Sequence, residues 1–209
     1  AGFRNLDRGF RTVADHGLVH ANAQFFFPRA MRKPLSADEK ALRRLSRYWV
    51  ARYSAFPVMW TLGQEVDKDF YSNRDSHPNW NYANNPYKLV AEYIGQVDPY
   101  KHPLSGHQEG ASVTNCSGSA FRDVSAHTWY AAQWSATYSS QVSDAIPKDY
   151  WNNGQGKPVV DYEGKYCYLW TKNFGARLQG YMAYLNGMFG YGWGGQDTWS
   201  YLNSYNEDA

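Results

Sequence analysis

Short strand-like runs alternate with amphipathic helical stretches along the whole chain, and this alternation restricts the fold more than any other feature. Residues 2–16 carry Phe3, Leu6, Phe10 and Val13 three or four apart, the spacing of one helix face, and Gly17 is placed to cap the end. Residues 18–27 read as a strand closed by Pro28. Ser36, with Glu39 three residues on, forms a capping box at the start of a long helix reaching Phe56. After Pro57, residues 58–65 make a short buried run ending in polar residues. The same reading gives a helix over 86–97, a strand over 103–107 and a Gly/Ser-rich loop from Glu109 to Gly118. It continues with a strand over 125–130, a weak helix over 138–146, a strand over 157–163, a helix over 171–187 and a last strand over 189–193.

Short buried strands separated by helices predict an α/β fold in which a parallel sheet is joined by helical crossovers. About six strands are visible, with polar and aromatic residues gathered at their C-terminal ends, the active-site face of a (β/α)₈ TIM barrel. A doubly wound sheet would carry a Gly-rich phosphate turn after its first strand, and no G-x-G-x-x-G stands there. The expectation is a TIM barrel forming a single catalytic domain over residues 1–209. Such a barrel needs roughly 250 residues and eight strands. The first strands are therefore expected in an N-terminal segment, or in another chain, outside this sequence; otherwise two sheet edges would stay open.

Composition narrows the function classes. Hydrophobic residues make up 43% of the 209, too many for a disordered segment. The net charge is +2 and the densest basic run, Arg43, Arg44 and Arg47, reads as a solvated helix face, so no nucleic-acid partner is expected. No stretch has the length of a membrane span. The aromatic share, 18% with 9 Trp and 18 Tyr, fits either a surface rich in Tyr or a cleft lined by rings that suit the apolar faces of sugars. Cys116 and Cys167 have no metal-ligand spacing and leave open whether they pair.

Two carboxylates stand out by position. The run VMWTLGQE delivers Gln64 and Glu65 to a strand end, and KPVVDYE delivers Glu163 in the same way. Two glutamates at the ends of parallel strands suit glycosidic hydrolysis, which needs a proton donor and a nucleophile or base flanking the anomeric carbon. Taken singly, each could equally be the polar end of a strand or a carboxylate near a helix N-terminus.

The segments FRNLDRGFRTVADHGLV, RYSAFPVMWTLGQEVD, KPVVDYEG and ARLQGYMAYLNGMFGYGWGGQDTWSY together resemble the apiosidase-like catalytic domain family of clan A glycoside hydrolases. The resemblance runs along nearly the whole chain. It implies a (β/α)₈ barrel acting on polysaccharide, with Glu65 as general acid/base and Glu163 as nucleophile of a retaining mechanism. It also implies a secreted, periplasmic or cell-surface setting and no cofactor. Gln64 departs from the Asn that the clan places before the acid/base; its longer arm can make the same bond to a sugar 2-hydroxyl. Alternative readings are a clan A endo-β-glycanase and a non-catalytic carbohydrate-binding barrel.

Further cleft residues follow from placement. His107 ends the strand 103–107, and His127 and Trp129 lie in 125–130, so all three are expected to border the substrate. Trp193 ends the last strand as a platform for a sugar ring, and Gln24 and Phe25 lie near the end of the first visible strand. Glu109 ranks third among the glutamates, since it lies in a loop without a matching motif. His102 and His107 are not accompanied by H-E-x-x-H or a carboxylate triad, and there is no G-x-S-x-G elbow, so neither metal nor serine chemistry is expected.

Overall fold

A computed structural model of the chain describes residues 2–21, 31, 35–63, 66, 85–109, 121, 123–134, 144–164, 166–167 and 173–195. Its contacts form two compact units, Ala1–Gln108 with Gly118–Tyr130, and Glu109–Ser117 with Ala131–Ala209.

In the first unit, α1 (Gly2–Asp15) is followed by a 3₁₀ turn (Leu35–Ala37), α2 (Glu39–Tyr53), β1 (Trp60–Thr61), α3 (Pro86–Val97) and β2 (Leu104–Ser105). The cap of α2 is Asp38 rather than Ser36: its Oδ1 accepts the N–H of Ala41 at 2.9 Å, and Ser36 falls inside the 3₁₀ turn. The carboxylate satisfies a first-turn N–H from two residues further along the chain, which displaces the expected capping box. Leu42, Ser46, Trp49, Val50 and Tyr53 form the buried stripe of α2. The stripe of α3 is Tyr87, Val90, Ala91 and Ile94, and Asn85 caps it by accepting the N–H of Tyr87 at 3.0 Å. Pro86 sits at the first helical position, where a missing N–H costs nothing. Helix α1 buries only Phe10, sandwiched between the rings of His20 (4.2 Å) and Tyr53 (4.0 Å); Phe3 and Leu6 stay partly exposed.

The strand pairings described in this unit are parallel. His20 bridges Val58, β1 pairs with β2 in the register Trp60↔Leu104, and Thr128 donates its N–H to the Leu104 carbonyl at 2.9 Å. These short pairs and the helices enclose one apolar cluster that includes Phe10, Trp60, Leu62, Val66, Ile94 and Leu104.

The strand expected over 125–130 begins later. Successive turns, Val124 N–H to Phe121 O and His127 N–H to Val124 O, occupy its first half, and β4 runs Tyr130–Gln133. Thr128 holds the approach by accepting the N–H of Leu104 on its hydroxyl at 2.9 Å. His127 and Trp129 therefore precede the strand instead of lying in it. Strand β3 spans His107–Glu109.

In the second unit β4, β5 (Val159–Asp161) and β7 (Gly190–Tyr191) are neighbours in that order, with α4 (Ala145–Asn153) and α5 (Asn173–Leu185) between them in sequence. Strands β5 and β7 are parallel, Val160 opposite Gly190 and Asp161 opposite Tyr191. A separate parallel pair joins β6 (Tyr166–Cys167) to β8 (Gly194–Gly195). Of the weak helix expected over 138–146, residues 145–146 open α4, which runs on to Asn153. Pro147 lies in its first turn, where proline opens a helix, and Lys148 pairs with Asp144 at 2.6 Å one turn back. Residues 138–143 lie outside the described residues. Each unit thus shows a mixed α/β arrangement with parallel strands, and among the described residues no helix is long and apolar enough to cross a membrane.

Candidate active site

Strand β5 is a short buried run whose C-terminal end opens onto Tyr162, Glu163 and Gly164. Val159 and Asp161 are buried, whereas Glu163, two residues beyond the strand, is half-buried. Both Tyr162 and Glu163 donate their N–H groups to the Ala132 carbonyl of β4, at 2.7 and 3.3 Å. A carboxyl group is thereby held at the end of a parallel strand, the position at which α/β sheets present chemistry to ligands.

The backbone on the other side is equally close. Gly192, just past β7, donates its N–H to Asp161 O at 2.5 Å. A Cβ on Gly192 would overlap the Tyr162 carbonyl oxygen and come within 2.9 Å of its carbon and 3.1 Å of Asp161 O. Gly164 admits the ring of Tyr191, whose Cζ and hydroxyl would stand 3.1 Å from a Cβ there, and a Cβ on Gly180 of α5 would meet the same ring at 3.2 Å. Trp193 meets Tyr191 edge-on at 6.5 Å and is 56% exposed. Gly192→Ala has no flexible neighbour to displace, so the ends of β5 and β7 must part. The expected cost is about 2–3 kcal/mol, and any turnover at Glu163 should fall by about a hundredfold for a displacement of about 1 Å. Urea unfolding and kinetics of Gly192→Ala measure both; an unchanged midpoint would refute the close approach.

Glu65 and Gln64 lie outside the described residues, as do Gln24 and Phe25. The residues on either side of Gln64 and Glu65 are fixed by the backbone of one residue: His107 donates its N–H to Gly63 O at 3.2 Å, and its carbonyl accepts the N–H of Val66 at 2.9 Å. The Asn85 side chain donates to Val66 O at 2.5 Å. Val66 is itself buried against Gly106, where a Cβ would collide with it. Sequence reasoning missed Asn85, Asp161, Tyr191 and Gly192. Only Asp161 carried a readable signal, since alternation along a strand places it on the same side as Glu163.

His107 is 2% exposed, and burial pushes its imidazole down to about 4, so it is neutral at pH 7. In the unfolded chain the ordinary value is near 6.5. The folded form therefore refuses a proton that the unfolded form takes up. Stability is complete above about pH 6.5 and declines toward pH 4, by about 3 kcal/mol at most. Denaturation midpoints at pH 7 and 4.5 should diverge less in His107→Gln than in the native protein; equal divergence would remove His107 from the account. His127 is 1% exposed, lying beside Phe121 (5.6 Å), edge-on to Tyr130 (5.0 Å) and 3.4 Å from the Ser105 hydroxyl. Trp129 is 3% exposed. His107, His127 and Trp129 thus sit inside the first unit, and Glu163 and Trp193 belong to the second. Of the cysteines, Cys167 lies in β6 and Cys116 falls outside the described residues.

Against known proteins, the profile of the family described as "Apiosidase-like, catalytic domain" matches residues 2–208. A solved structure of a glycoside hydrolase family 5 from Bacteroides vulgatus ATCC 8482 superposes with a TM-score of 0.67 at 14% identity, covering 97% of this chain and 44% of that one. A second, described as a glycoside hydrolase, gives 0.65 at 15% identity, with 97% and 47% covered. The chain therefore spans a little under half the length of each, and at these identities the likeness is one of fold. No curated protein matches it. A profile that accounts for nearly every residue decides the family: the chain belongs to the apiosidase-like catalytic domain family.

Proposed function

We propose that the chain supplies the catalytic part of a retaining glycoside hydrolase built on a (β/α)₈ barrel, cleaving a glycosidic bond in a plant or microbial polysaccharide. The observation that carries this reading is Glu163, half-buried just beyond a buried parallel strand in a chain of the apiosidase-like family. Parallel strands with helices between them, and the TM-scores of 0.67 and 0.65 to glycoside hydrolase structures, support the barrel.

In the proposed cycle Glu163 attacks the anomeric carbon while Glu65 gives its proton to the departing oxygen. The glycosyl ester so formed is opened by water, from which Glu65 now takes a proton. Retention requires the two carboxyl groups about 5–5.5 Å apart, close enough that the charge of one favours the protonated form of the other. Gln64 would hold the sugar 2-hydroxyl, and Trp193, with Gln24 and Phe25, would line the ring's path. His107 and His127 remain proposed substrate neighbours. The reaction needs no cofactor, and a polysaccharide substrate favours a secreted, periplasmic or cell-surface location.

The test uses the full-length protein on a panel of plant and bacterial cell-wall glycans, with released sugars followed by mass spectrometry, beside Glu65→Gln and Glu163→Gln. Release by the native protein that collapses in both variants is expected. Binding without release would favour a carbohydrate-binding barrel, and internal cleavage of a β-glycan an endo-β-glycanase. Release that survives in both variants would overturn the carboxylate assignment and bring Glu109 forward.

A further inference from the structure

A second carboxyl group lies at the end of β5. Asp161 is 0% exposed. Its Oδ1 accepts the backbone N–H of Trp134 at 3.2 Å, and its Oδ2 has no hydrogen-bond partner among the described residues. Each element packed around it is identifiable. The end of β4 supplies Trp134, whose carbonyl accepts the side-chain amide of Gln179 from α5. From β7 come Tyr191, opposite Asp161 in register, and the Gly192 N–H on the Asp161 carbonyl. The charged neighbour among the described residues is Glu163, whose charge favours the protonated form of Asp161.

We propose that Asp161 is a positioning residue for Glu163: as a neutral carboxylic acid it ties the end of β4 to the end of β5 and leaves the charge at that strand end to Glu163. This rests on the reading of Glu163 as nucleophile.

An ionised carboxylate sealed from water with one neutral amide donor is costly, whereas a neutral acid needs no counter-charge. Where two carboxyls adjoin, the more buried one keeps the proton and the more exposed one takes the charge. Burial lifts Asp161 well above the usual carboxylate range; the Trp134 N–H offsets part of this, and Glu163 adds to it. A nucleophile must start charged and becomes a neutral ester, so a neighbour that stays neutral in both states adds no repulsion to the first. The bond to Trp134 meanwhile fixes β4, whose Ala132 carbonyl holds the Glu163 N–H.

Infrared spectra of the native protein with isotope-labelled aspartate should show a protonated-carboxyl band at pH 7 that Asp161→Asn lacks. Stability supplies a second readout. A group whose folded pKa is raised contributes stability that is complete below the usual carboxylate value and is lost as pH rises toward the folded value. The folding constant of the native protein should therefore fall by about tenfold per pH unit relative to Asp161→Asn across that window. Asn keeps an acceptor for Trp134 and a donor in place of the acid proton, so it should preserve turnover and the acid limb of kcat/KM. Asp161→Ala should lose about 10–100-fold, the range for residues that orient a reacting group.

Absence of the protonated band, or an acid limb that moves to lower pH in Asp161→Asn, would overturn the proposal. If the native protein releases no sugar, the infrared and stability measurements still decide the state of Asp161, so failure of the hydrolase reading is told apart from failure of this one.

Discussion

Glu163→Ala should lower glycan release on the order of 10⁴-fold or more, because the bond proposed to form to its carboxylate would have no substitute in the site. If the mechanism is double displacement, the loss is recoverable in a diagnostic way. Azide can enter the space left by the side chain and attack the anomeric carbon of an aryl glycoside as the phenolate departs. The product is a glycosyl azide of inverted configuration. Glu65→Gln should behave differently. Its loss is expected at about 10²–10⁴-fold for natural glycosides, whose leaving oxygen needs a proton, and far less for aryl glycosides, whose leaving group departs as a stable anion. The contrast assigns the roles without a distance between the carboxyls. An azide of inverted configuration from Glu65→Gln but not from Glu163→Ala would reverse them, whereas an azide of retained configuration from Glu65→Gln is what interception of the glycosyl ester predicts for the acid/base; no azide product from either would favour inversion.

The parts of this arrangement that sequence makes visible are those decided locally. Helix α3 is read to the residue because Pro86 and the apolar spacing of Tyr87, Val90, Ala91 and Ile94 all lie within it. Glu163 is found because a run of buried residues must end somewhere polar, and the family resemblance then gives that end a role. What stays hidden is decided between segments. SAHTWY has strand composition, but turns reaching back to Phe121 and a Thr128 bond to Leu104 postpone the strand to Tyr130. The helix face of α1 shows four apolar residues, and only Phe10 finds rings on both sides of it. Gly192 reads as one glycine among 18, and its requirement emerges only where two strand ends meet. Asp161 is a polar residue in a strand until its burial and its single amide donor come into view.

Asp98 offers a contrast in what a carboxylate can be for, and Asp98→Ala should destabilise the first unit by about 3–5 kcal/mol. It stands where α3 ends, its own N–H on the Ile94 carbonyl at 2.8 Å. Its Oδ2 accepts the Trp60 indole N–H at 2.8 Å, the His102 N–H at 3.0 Å and approaches His102 Nδ1 at 2.9 Å, while Oδ1 accepts the Tyr100 N–H at 3.1 Å. Burial alone would lift this carboxyl, but the donors from Trp60, His102 and Tyr100 outweigh it and hold it below the usual value. Its contribution is thus present above the ordinary carboxylate range and lost as pH falls through it. Truncation leaves the buried Trp60 N–H without its acceptor and frees the turn from α3 into β2. Asparagine is little better, since its amide would face donors on the side that Oδ2 now serves. Against a typical total of about 5–15 kcal/mol, such a loss is a large fraction of what keeps a domain folded. Urea unfolding of Asp98→Ala beside Glu163→Gln separates the two kinds of carboxylate. The first should lower the midpoint and leave kcat per folded molecule intact; the second should leave the midpoint nearly unchanged and abolish turnover. A shift below about 1 kcal/mol in Asp98→Ala would mean that water replaces the lost acceptor, and the buried network would not be what fixes β1 to the end of α3.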